Sequence, residues 1–173
     1  MQVYLIGYMG SGKSTVGKQL ARALRFDFFD LDAVIQEAEK RSIPEIFEKE
    51  GESSFRGLER KYLRQLIDSK ANMVLSTGGG TPCFYDNHMI MKKAGITVYL
   101  KMDVATLVHR LSNAKEERPL VAGKSPDELT TFIKNHLEER SEYYDDCDII
   151  FPALGFNRSK LDRLVDLIAE KAK

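Results

Sequence analysis

A glycine-rich stretch near the start of the chain carries the residue types that bind phosphate. Residues 7–14 read Gly-Tyr-Met-Gly-Ser-Gly-Lys-Ser and match every fixed position of the pattern G-x-x-x-x-G-K-[ST]. Backbone N–H groups in such a turn face an anion, and a helix that begins there adds partial positive charge. Lys13 can reach the outer phosphates of a nucleotide, and the Ser14 hydroxyl can help to hold Mg²⁺. The stretch therefore predicts binding of a nucleoside triphosphate, although glycine-rich turns also serve close packing.

The flanking patterns are the elements that must position this turn. Residues 3–6 are a short apolar run typical of a buried strand, and residues 15–24 place apolar side chains at helical spacing. Further strands are predicted at 26–32, 73–76, 96–100 and 148–151. Helices are predicted over 33–70 with breaks near 42–44 and 51–53, and at 86–94, 104–112, 126–143 and from about 159. We expect the α/β class: a three-layer α/β/α domain over residues 1–173 with a five-stranded parallel sheet, a P-loop NTPase core plus small substrate-binding and lid segments.

Acidic residues follow the second predicted strand, on the sheet edge where ligands bind in such folds. Asp30 and Asp32 alternate at the end of this strand, and we expect one to serve a metal and the other a substrate hydroxyl. Solvated strand-end acids are the alternative. The third predicted strand ends Leu-Ser-Thr at 75–77, without the Asp that typically holds Mg²⁺. We therefore expect Ser14 and, through water, Asp30 to hold Mg²⁺, which needs few protein ligands.

Glycines and arginines elsewhere provide candidates for the rest of the site. Residues 78–80 are three consecutive glycines after a buried strand, a turn that can line a pocket or simply connect two elements. Arg56 and Arg140 are candidate anion clamps, and Arg118 is a candidate cap on a transferring phosphoryl group. Any one of these arginines alone would more commonly be a surface residue.

Composition narrows the class of protein. The 26 basic and 26 acidic residues balance, which argues against a general nucleic-acid binder. No apolar run reaches the length of a membrane span, and because the phosphate-binding pattern begins at residue 7 we expect no targeting segment before it. Cys83 and Cys147 lack metal-ligand spacing, and no Asn-Lys-x-Asp pattern of regulatory GTPases is present. We expect a cytoplasmic protein with no nucleic-acid or membrane partner.

Read together, these motifs resemble the shikimate kinase family. The resemblance rests on Gly-x-x-Gly-Ser-Gly-Lys-Ser-Thr-Val-Gly at 7–17, Phe-Asp-Leu-Asp at 29–32, Ile46-Phe47, Gly51-Glu52, Phe55-Arg56, Glu59, the glycines at 78–80, Val-Tyr-Leu at 98–100, Arg-Pro-Leu at 118–120, Glu139-Arg140 and Tyr144. These residues occur in order and cover nearly the whole chain. A phosphate-binding pattern alone would indicate only a superfamily, whereas the combination is specific.

The resemblance implies ATP-dependent phosphorylation of the shikimate 3-hydroxyl, giving shikimate 3-phosphate and ADP on the route to chorismate and the aromatic amino acids. It implies a substrate-binding segment at about 33–61 and a lid at about 112–125. Its substrates would be shikimate and ATP, its cofactor Mg²⁺, and we expect a monomer. Two arginines suit a carboxylate, because a guanidinium can bind it with two hydrogen bonds.

Motif and resemblance together assign residue roles. The catalytic residues would be Lys13, Asp32 and Arg118; ATP would bind to Gly10, Ser11, Gly12, Lys13, Ser14, Thr15, Arg110 and Arg118; shikimate would bind to Asp32, Arg56, Gly78, Gly79, Gly80 and Arg140; and the metal would be held by Ser14 and, through water, Asp30. Whether Asp32 accepts the proton of the hydroxyl or only orients it stays open.

Other interpretations remain. Residues 152–158 do not align with the adenine loop of the family, which leaves Asn157 or Arg158 as candidates there. A gluconate kinase shares the phosphate-binding pattern and acids after the second strand, but it would not require Phe55-Arg56, the glycines at 78–80 and Arg140 to hold a ring carboxylate. An adenylate-kinase-like enzyme needs more arginines along the phosphate path. A nucleotide-binding regulator without catalysis is a further alternative, and the presence of Lys13, Ser14, Asp32 and Arg118 together argues against it.

Overall fold

A single parallel sheet forms the centre of the molecule. The computed structural model describes residues 1–114, 121 and 123–173. The strands of the described part are β1 (Gln2–Ile6), β2 (Asp27–Asp30), β3 (Met73–Ser76), β4 (Ile96–Lys101) and β5 (Ile149–Pro152). They lie in the order β2-β3-β1-β4-β5, and each neighbouring pair is parallel. The predicted five-stranded parallel sheet is confirmed.

Helices cover both faces of this sheet. They are α1 (Lys13–Leu24), α2 (Leu31–Glu39), α3 (Ile43–Ser69), α4 (Asn87–Ala94), α5 (Val104–Ser112), α6 (Pro126–Tyr144) and α7 (Arg158–Lys171), with a 3₁₀ turn at Thr81–Cys83. Side chains of β1 alternate between two cores: Val3 and Leu5 pack in one, and Tyr4 and Ile6 in the other. Because both faces of the central strand are buried, the three-layer arrangement follows. Within the described part of the chain, no helix is long and apolar enough to span a membrane.

The second strand is shorter than predicted, and this moves one candidate acid. Strand β2 ends at Asp30, and Asp32 lies in the first turn of α2. The Asp30 side chain caps that helix by accepting from the backbone N–H of Ala33 at 3.4 Å, a role for which Asp is well suited. The expectation that both acids alternate on one strand is therefore wrong, because the cap at Asp30 starts a helix two residues earlier.

The predicted break near residue 51 is present as a bend inside α3. Gly51 has φ 79° and ψ 173°, a backbone conformation that is open to glycine and not helical. Ser42 begins the helix with a capping box to Glu45. The bend separates a short first segment that carries Phe47 from a longer second segment that carries Phe55, and the two rings pack with centroids 4.9 Å apart.

Two glycines provide a matched test of how tightly this fold is packed. A Cβ at Gly95 would collide with the backbone carbonyl oxygen of Gln2 at the start of β1, whereas a Cβ at Gly57 in α3 meets nothing within 4 Å. We expect Gly95→Ala to lower the free energy of unfolding by about 3 kcal/mol, since overpacking against backbone forces a shift of β4 against β1. Gly57→Ala should raise it by about 0.5–1 kcal/mol through helix propensity. Thermal or urea unfolding measures both, and a tolerated Gly95→Ala would contradict the packing described.

Candidate active site

The phosphate-binding turn lies where β1 ends and α1 begins. Gly10 and Gly12 have φ of 81° and 94°, so the turn adopts a left-handed backbone that other residues rarely take. The N–H of Ser11 donates to the carbonyl oxygen of Tyr8 at 3.1 Å and closes the loop. Gly12, the N-cap of α1, has no side chain to accept from the N–H groups of the first turn. This geometry is that of an anion site at a helix N-terminus.

Lys13 is held on the loop it belongs to. Its Nζ donates to the carbonyl oxygens of Gly7 at 2.7 Å and Tyr8 at 2.9 Å, and the residue is only 8% exposed. The ammonium is thus fixed at the rim of the loop.

Ser14 and Asp30 form an oxygen pair beside the loop. The Ser14 hydroxyl donates to Asp30 Oδ2 at 2.5 Å, and Ser76 at the end of β3 lies 3.4 Å from the same hydroxyl. Hydroxyl and carboxylate oxygens are the ligands that Mg²⁺ prefers. No group of three or more His, Cys, Asp or Glu side chains among the described residues is placed to hold a metal. The donor set therefore fits an ion that is held by few protein ligands and completed by phosphate and water.

A cavity of about 290 Å³ opens in front of the phosphate-binding turn. Its lining residues are Met9, Gly10, Gly12, Lys13, Ser14, Thr15, Asp30, Asp32, Ser76, Thr77, Gly78, Gly79 and Arg110. Arg110, on α5, donates from Nη1 to the carbonyl oxygen of Gly10 at 2.9 Å. The cavity therefore contains most of the residues predicted to bind ATP, with Ser11 buried behind it in the loop.

A smaller cavity of about 70 Å³ adjoins the first. Its lining residues are Met9, Asp32, Ile43, Phe47, Phe55, Arg56, Glu59, Gly78, Gly79, Gly80 and Arg140. Four of them, Met9, Asp32, Gly78 and Gly79, line both cavities. The boundary between the phosphate cavity and the pocket with two arginines is thus formed by Asp32 and the glycine turn.

Arg56 is oriented by carboxylates and by an aromatic ring. Its guanidinium donates to Glu59 Oε2 at 2.7 Å and to Glu52 Oε1 at 2.8 Å, and it lies 4.3 Å from the ring centroid of Phe84. Burial works against its charge, yet Glu59 and Glu52 more than offset this and raise the pKa of Arg56. Burial raises the pKa of the Glu59 carboxyl, and Arg56 and the hydroxyl of Thr81 act in the opposite direction. Arg56 therefore keeps its positive charge in a buried wall of the pocket.

Arg140 approaches the pocket from α6. It is 6% exposed, its guanidinium carbon lies 5.4 Å from the ring centroid of Tyr8, and burial raises the pKa of Tyr8 to about 12. Nη1 of Arg140 is buried and meets no hydrogen-bond partner among the described residues. A buried charged donor without a partner is costly. A bound anion in the pocket would satisfy it.

The side chains packed against residues 78–80 leave little space for a Cβ atom there. A Cβ at Gly78 would collide with Glu59 Oε1, a Cβ at Gly79 would lie 3.4 Å from Nη1 of Arg140, and a Cβ at Gly80 would lie 2.6 Å from Nη1 of Arg56. The hydroxyl of Tyr144 donates to the carbonyl oxygen of Gly79 at 2.6 Å and fixes the turn. The turn thus brings bare backbone against both arginines, and it is not merely a flexible connection.

The structure brings most predicted site residues to one edge of the sheet, at the carboxyl ends of β1, β2 and β3. Arg118 and half of the predicted lid, residues 115–120 and 122, lie outside the described residues. Asn157 caps α7, and Arg158 is exposed and pairs with Asp162; their role as candidates for adenine contact stays a prediction. Sequence reasoning assigned no role to Met9, Ile43 or Thr81, and none to Glu59 beyond its match, although the spacing of Arg56 and Glu59 in one helix could have indicated an ion pair.

Comparison with known proteins shows the family of this chain. The family model described as "Shikimate kinase" matches residues 9–168. The shikimate kinase of Azobacteroides pseudotrichonymphae is 46% identical over 150 residues, which is 87% of this chain and 88% of that protein. The shikimate kinase of Bacteroides thetaiotaomicron is 44% identical over 153 residues, covering 88% of this chain and 87% of that protein.

Solved structures give the same result. A crystal structure of the Bacteroides thetaiotaomicron shikimate kinase superposes with TM-score 0.89 at 41% identity, covering 99% of this chain and 98% of that one. The Acinetobacter baumannii shikimate kinase, solved in complex with shikimate, gives 0.82 at 34% identity, covering 99% and 92%. A deoxyadenosine kinase from M. mycoides, at 16% identity and TM-score 0.61, shares the fold alone. The resemblance found in the sequence is thus confirmed, and the chain belongs to the shikimate kinase family.

Proposed function

We propose that this chain transfers the terminal phosphoryl group of ATP to the 3-hydroxyl of shikimate, giving shikimate 3-phosphate and ADP. Membership of the family supports an ATP-dependent small-molecule kinase. The observation that carries the residue assignment is the boundary shared by the two cavities. Because Asp32 and Gly79 line both, a hydroxyl acceptor in the smaller cavity would face a phosphate in the larger one.

Arg56 and Arg140 would bind the substrate carboxylate. Both are buried, both line the smaller cavity, and Arg140 has a donor without a protein partner among the described residues. Phe47 and Phe55 would pack against the carbon ring of the substrate, and Gly80 leaves the space that Arg56 occupies. In this proposal the segment 33–61 acts as the substrate-binding segment. A small hydroxy acid with one carboxylate suits such a pocket.

On the nucleotide side, the loop N–H groups and Lys13 would bind the phosphates, and Arg110 would lie over the loop beside the nucleotide. Ser14 and Asp30 would hold Mg²⁺, directly and through water. When bound, that ion supplies charge neutralisation on the phosphates. Phosphoryl transfer depends mainly on alignment and on stabilisation of charge, which Lys13 and, from the lid at 112–125, Arg118 would provide.

Asp32 would act on the attacking hydroxyl at the boundary between the cavities. Its carboxylate can orient the hydroxyl or accept its proton as the bond to phosphorus forms. Closure of the lid would exclude water, which otherwise competes with the substrate for the phosphoryl group. In this proposal the protein acts as a monomer in the cytoplasm, with both cavities lined by residues of one chain.

A coupled assay of ADP release tests the proposal. Pure, folded protein with Mg·ATP is given shikimate, gluconate or a nucleoside monophosphate in parallel. We expect turnover that depends on shikimate and little with the other acceptors. Absence of shikimate-dependent ADP release would contradict the proposal, and preference for gluconate or a nucleoside monophosphate would replace it.

If Arg56 binds the substrate carboxylate, Arg56→Lys should weaken the binding of shikimate and not that of ATP. A lysine has one ammonium and cannot hold Glu52 and Glu59 while also binding a carboxylate, so we expect the shikimate KM to rise roughly 10- to 100-fold. The ATP KM should change by less than about twofold, since the phosphate cavity lacks Arg56. Arg64→Lys is the matched control, because Arg64 lies in the same helix but pairs with Asp86 at the surface. An unchanged shikimate KM in Arg56→Lys would show that the assignment is wrong.

A further inference from the structure

Glu59, the partner of Arg56, is held from both sides. The side chain is completely buried, and each of its two oxygens has one donor: Arg56 Nη1 on Oε2 at 2.7 Å and the Thr81 hydroxyl on Oε1 at 2.5 Å. A buried carboxylate needs such donors, because water cannot reach it. The orientation of Glu59 therefore depends on Thr81 as much as on Arg56.

Thr81 is itself fixed by the backbone around it. It is completely buried, its N–H donates to the carbonyl oxygen of Gly78 at 3.1 Å, and its carbonyl oxygen accepts from Asn87 Nδ2 at 2.9 Å. The 3₁₀ turn that begins at Thr81 follows directly on the glycine turn. The hydroxyl is thus a donor in a set position, anchored to the same backbone that lines the substrate pocket.

A continuous chain of contacts leads from this hydroxyl to the pocket. Thr81 binds one oxygen of Glu59, the other oxygen binds Arg56, and the Arg56 guanidinium lines the smaller cavity beside Gly80. Glu52, the second carboxylate on Arg56, is 46% exposed at its side chain and holds the guanidinium less firmly. Of the two carboxylates that hold Arg56, the buried Glu59, itself held by Thr81, therefore fixes the guanidinium more firmly than Glu52 does.

We propose that Thr81 is a positioning residue for shikimate, which acts through Glu59 to aim Arg56 at the substrate carboxylate. This inference rests on the proposed role of Arg56 in binding that carboxylate. It assigns to Thr81 an effect on substrate affinity and none on the transfer step, since the hydroxyl touches neither cavity directly.

Because Glu59 is titratable, the effect of Thr81 on the shikimate KM should depend on pH. Glu59 faces Arg56 in its own helix, Asp32 on α2 and Cys83 on the 3₁₀ turn. Burial raises the pKa of Glu59, and the hydroxyl of Thr81 lowers it. Without the hydroxyl, Glu59 takes up a proton at a higher pH and loses its ion pair with Arg56. The shikimate KM should then begin to rise at a higher pH as the solution is acidified.

Thr81→Val tests this, because it removes the hydroxyl and keeps the shape of the side chain. We expect the shikimate KM to rise about tenfold, as for the loss of one hydrogen bond to a charged group, with kcat and the ATP KM within about twofold. Thr81→Ser should restore the shikimate KM. In Thr81→Val the rise of KM on acidification should start at higher pH than in the unaltered protein.

The control is Thr97→Val, at the start of β4. Thr97 is also completely buried, and its hydroxyl donates to a carboxylate, Asp148 Oδ2, at 2.7 Å. This variant should lose stability while its shikimate KM stays unchanged. If Thr81→Val does not fold, Thr81→Ala carries the same expectation.

An unchanged shikimate KM in folded Thr81→Val, or an equal rise of the KM for ATP and shikimate, would overturn the inference. Failure of the proposed function gives a different result. In that case the unaltered protein shows no turnover with shikimate, or Arg56→Lys leaves the shikimate KM unchanged. If both of those behave as proposed and only Thr81→Val has no effect, the inference about Thr81 alone is wrong.

Discussion

Replacing Lys13 by methionine is expected to lower kcat on the order of 10²- to 10³-fold, as when one preorganised charge is removed from a transition state. In the described part of the chain, the phosphate cavity is lined by two cationic side chains, Lys13 and Arg110. Lys13 is fixed on the loop by two backbone carbonyl oxygens, so its ammonium lies at the rim before a nucleotide arrives. Methionine keeps the length of the stem and removes the charge. Steady-state kinetics with saturating shikimate measures the loss.

Lys18→Met is the matched control for this change. Lys18 lies on the same helix, is exposed, and has its Nζ 6.0 Å from the ring centroid of Phe28. Its replacement should leave kcat within about twofold, because an exposed side chain that shares no partner with the phosphate cavity has little effect on the energetics there. The assignment of Lys13 would not survive a variant that keeps kcat within tenfold of the unaltered enzyme.

Asp32→Asn is the second change with a large expected effect. Asparagine keeps the shape of the side chain but removes its charge and its basicity, so we expect kcat to fall on the order of 10²- to 10³-fold. The ATP KM should stay within about twofold, because the loop and Lys13 remain intact. Pre-steady-state measurement of phosphoryl transfer separates this effect from slow product release.

Asp30→Asn is the comparator, since the two acids lie two residues apart but in different elements. Asp30 pairs with the Ser14 hydroxyl and caps α2, whereas Asp32 lies between the two cavities. Asp30→Asn should raise the Mg²⁺ concentration needed for half-maximal rate and leave the shikimate KM unchanged. If the two variants respond alike to Mg²⁺ and to shikimate, the division of labour between Asp30 and Asp32 is wrong.

Much of the architecture could be predicted from local patterns. The apolar runs of β1, β3 and β4 and the helical spacing in α1 and α6 indicate those elements. A strand buried on both faces is a short continuous apolar run, whereas an amphipathic helix repeats its apolar residues every three to four positions over a longer stretch. The predicted end of β2 was wrong. The strand pattern continues to residue 32, but Asp30 caps a helix that begins at Leu31, and so the strand ends at Asp30.

The types of residue in the candidate site could be predicted from the sequence, whereas the contacts between them could not. Arg56 and Arg140 are far apart in the chain, and their meeting at residues 78–80 depends on the packing of α3 and α6 around the sheet. The hydrogen bond from Thr81 to Glu59 also depends on tertiary packing, because nothing in the spacing of those two residues indicates it. Arg118 stays a prediction, as it lies outside the described residues.

The glycine turn also limits how this protein can diverge. Each of its three positions abuts a different neighbour: Glu59 at Gly78, Arg140 at Gly79 and Arg56 at Gly80. A side chain at Gly78 or Gly80 would displace Glu59 or Arg56, whereas one at Gly79 would meet the Met9 backbone nitrogen at 3.3 Å and Arg140 at 3.4 Å. We therefore expect a change of acceptor to be easier at the apolar walls of the pocket, such as Phe47 or Ile43, than at the turn itself.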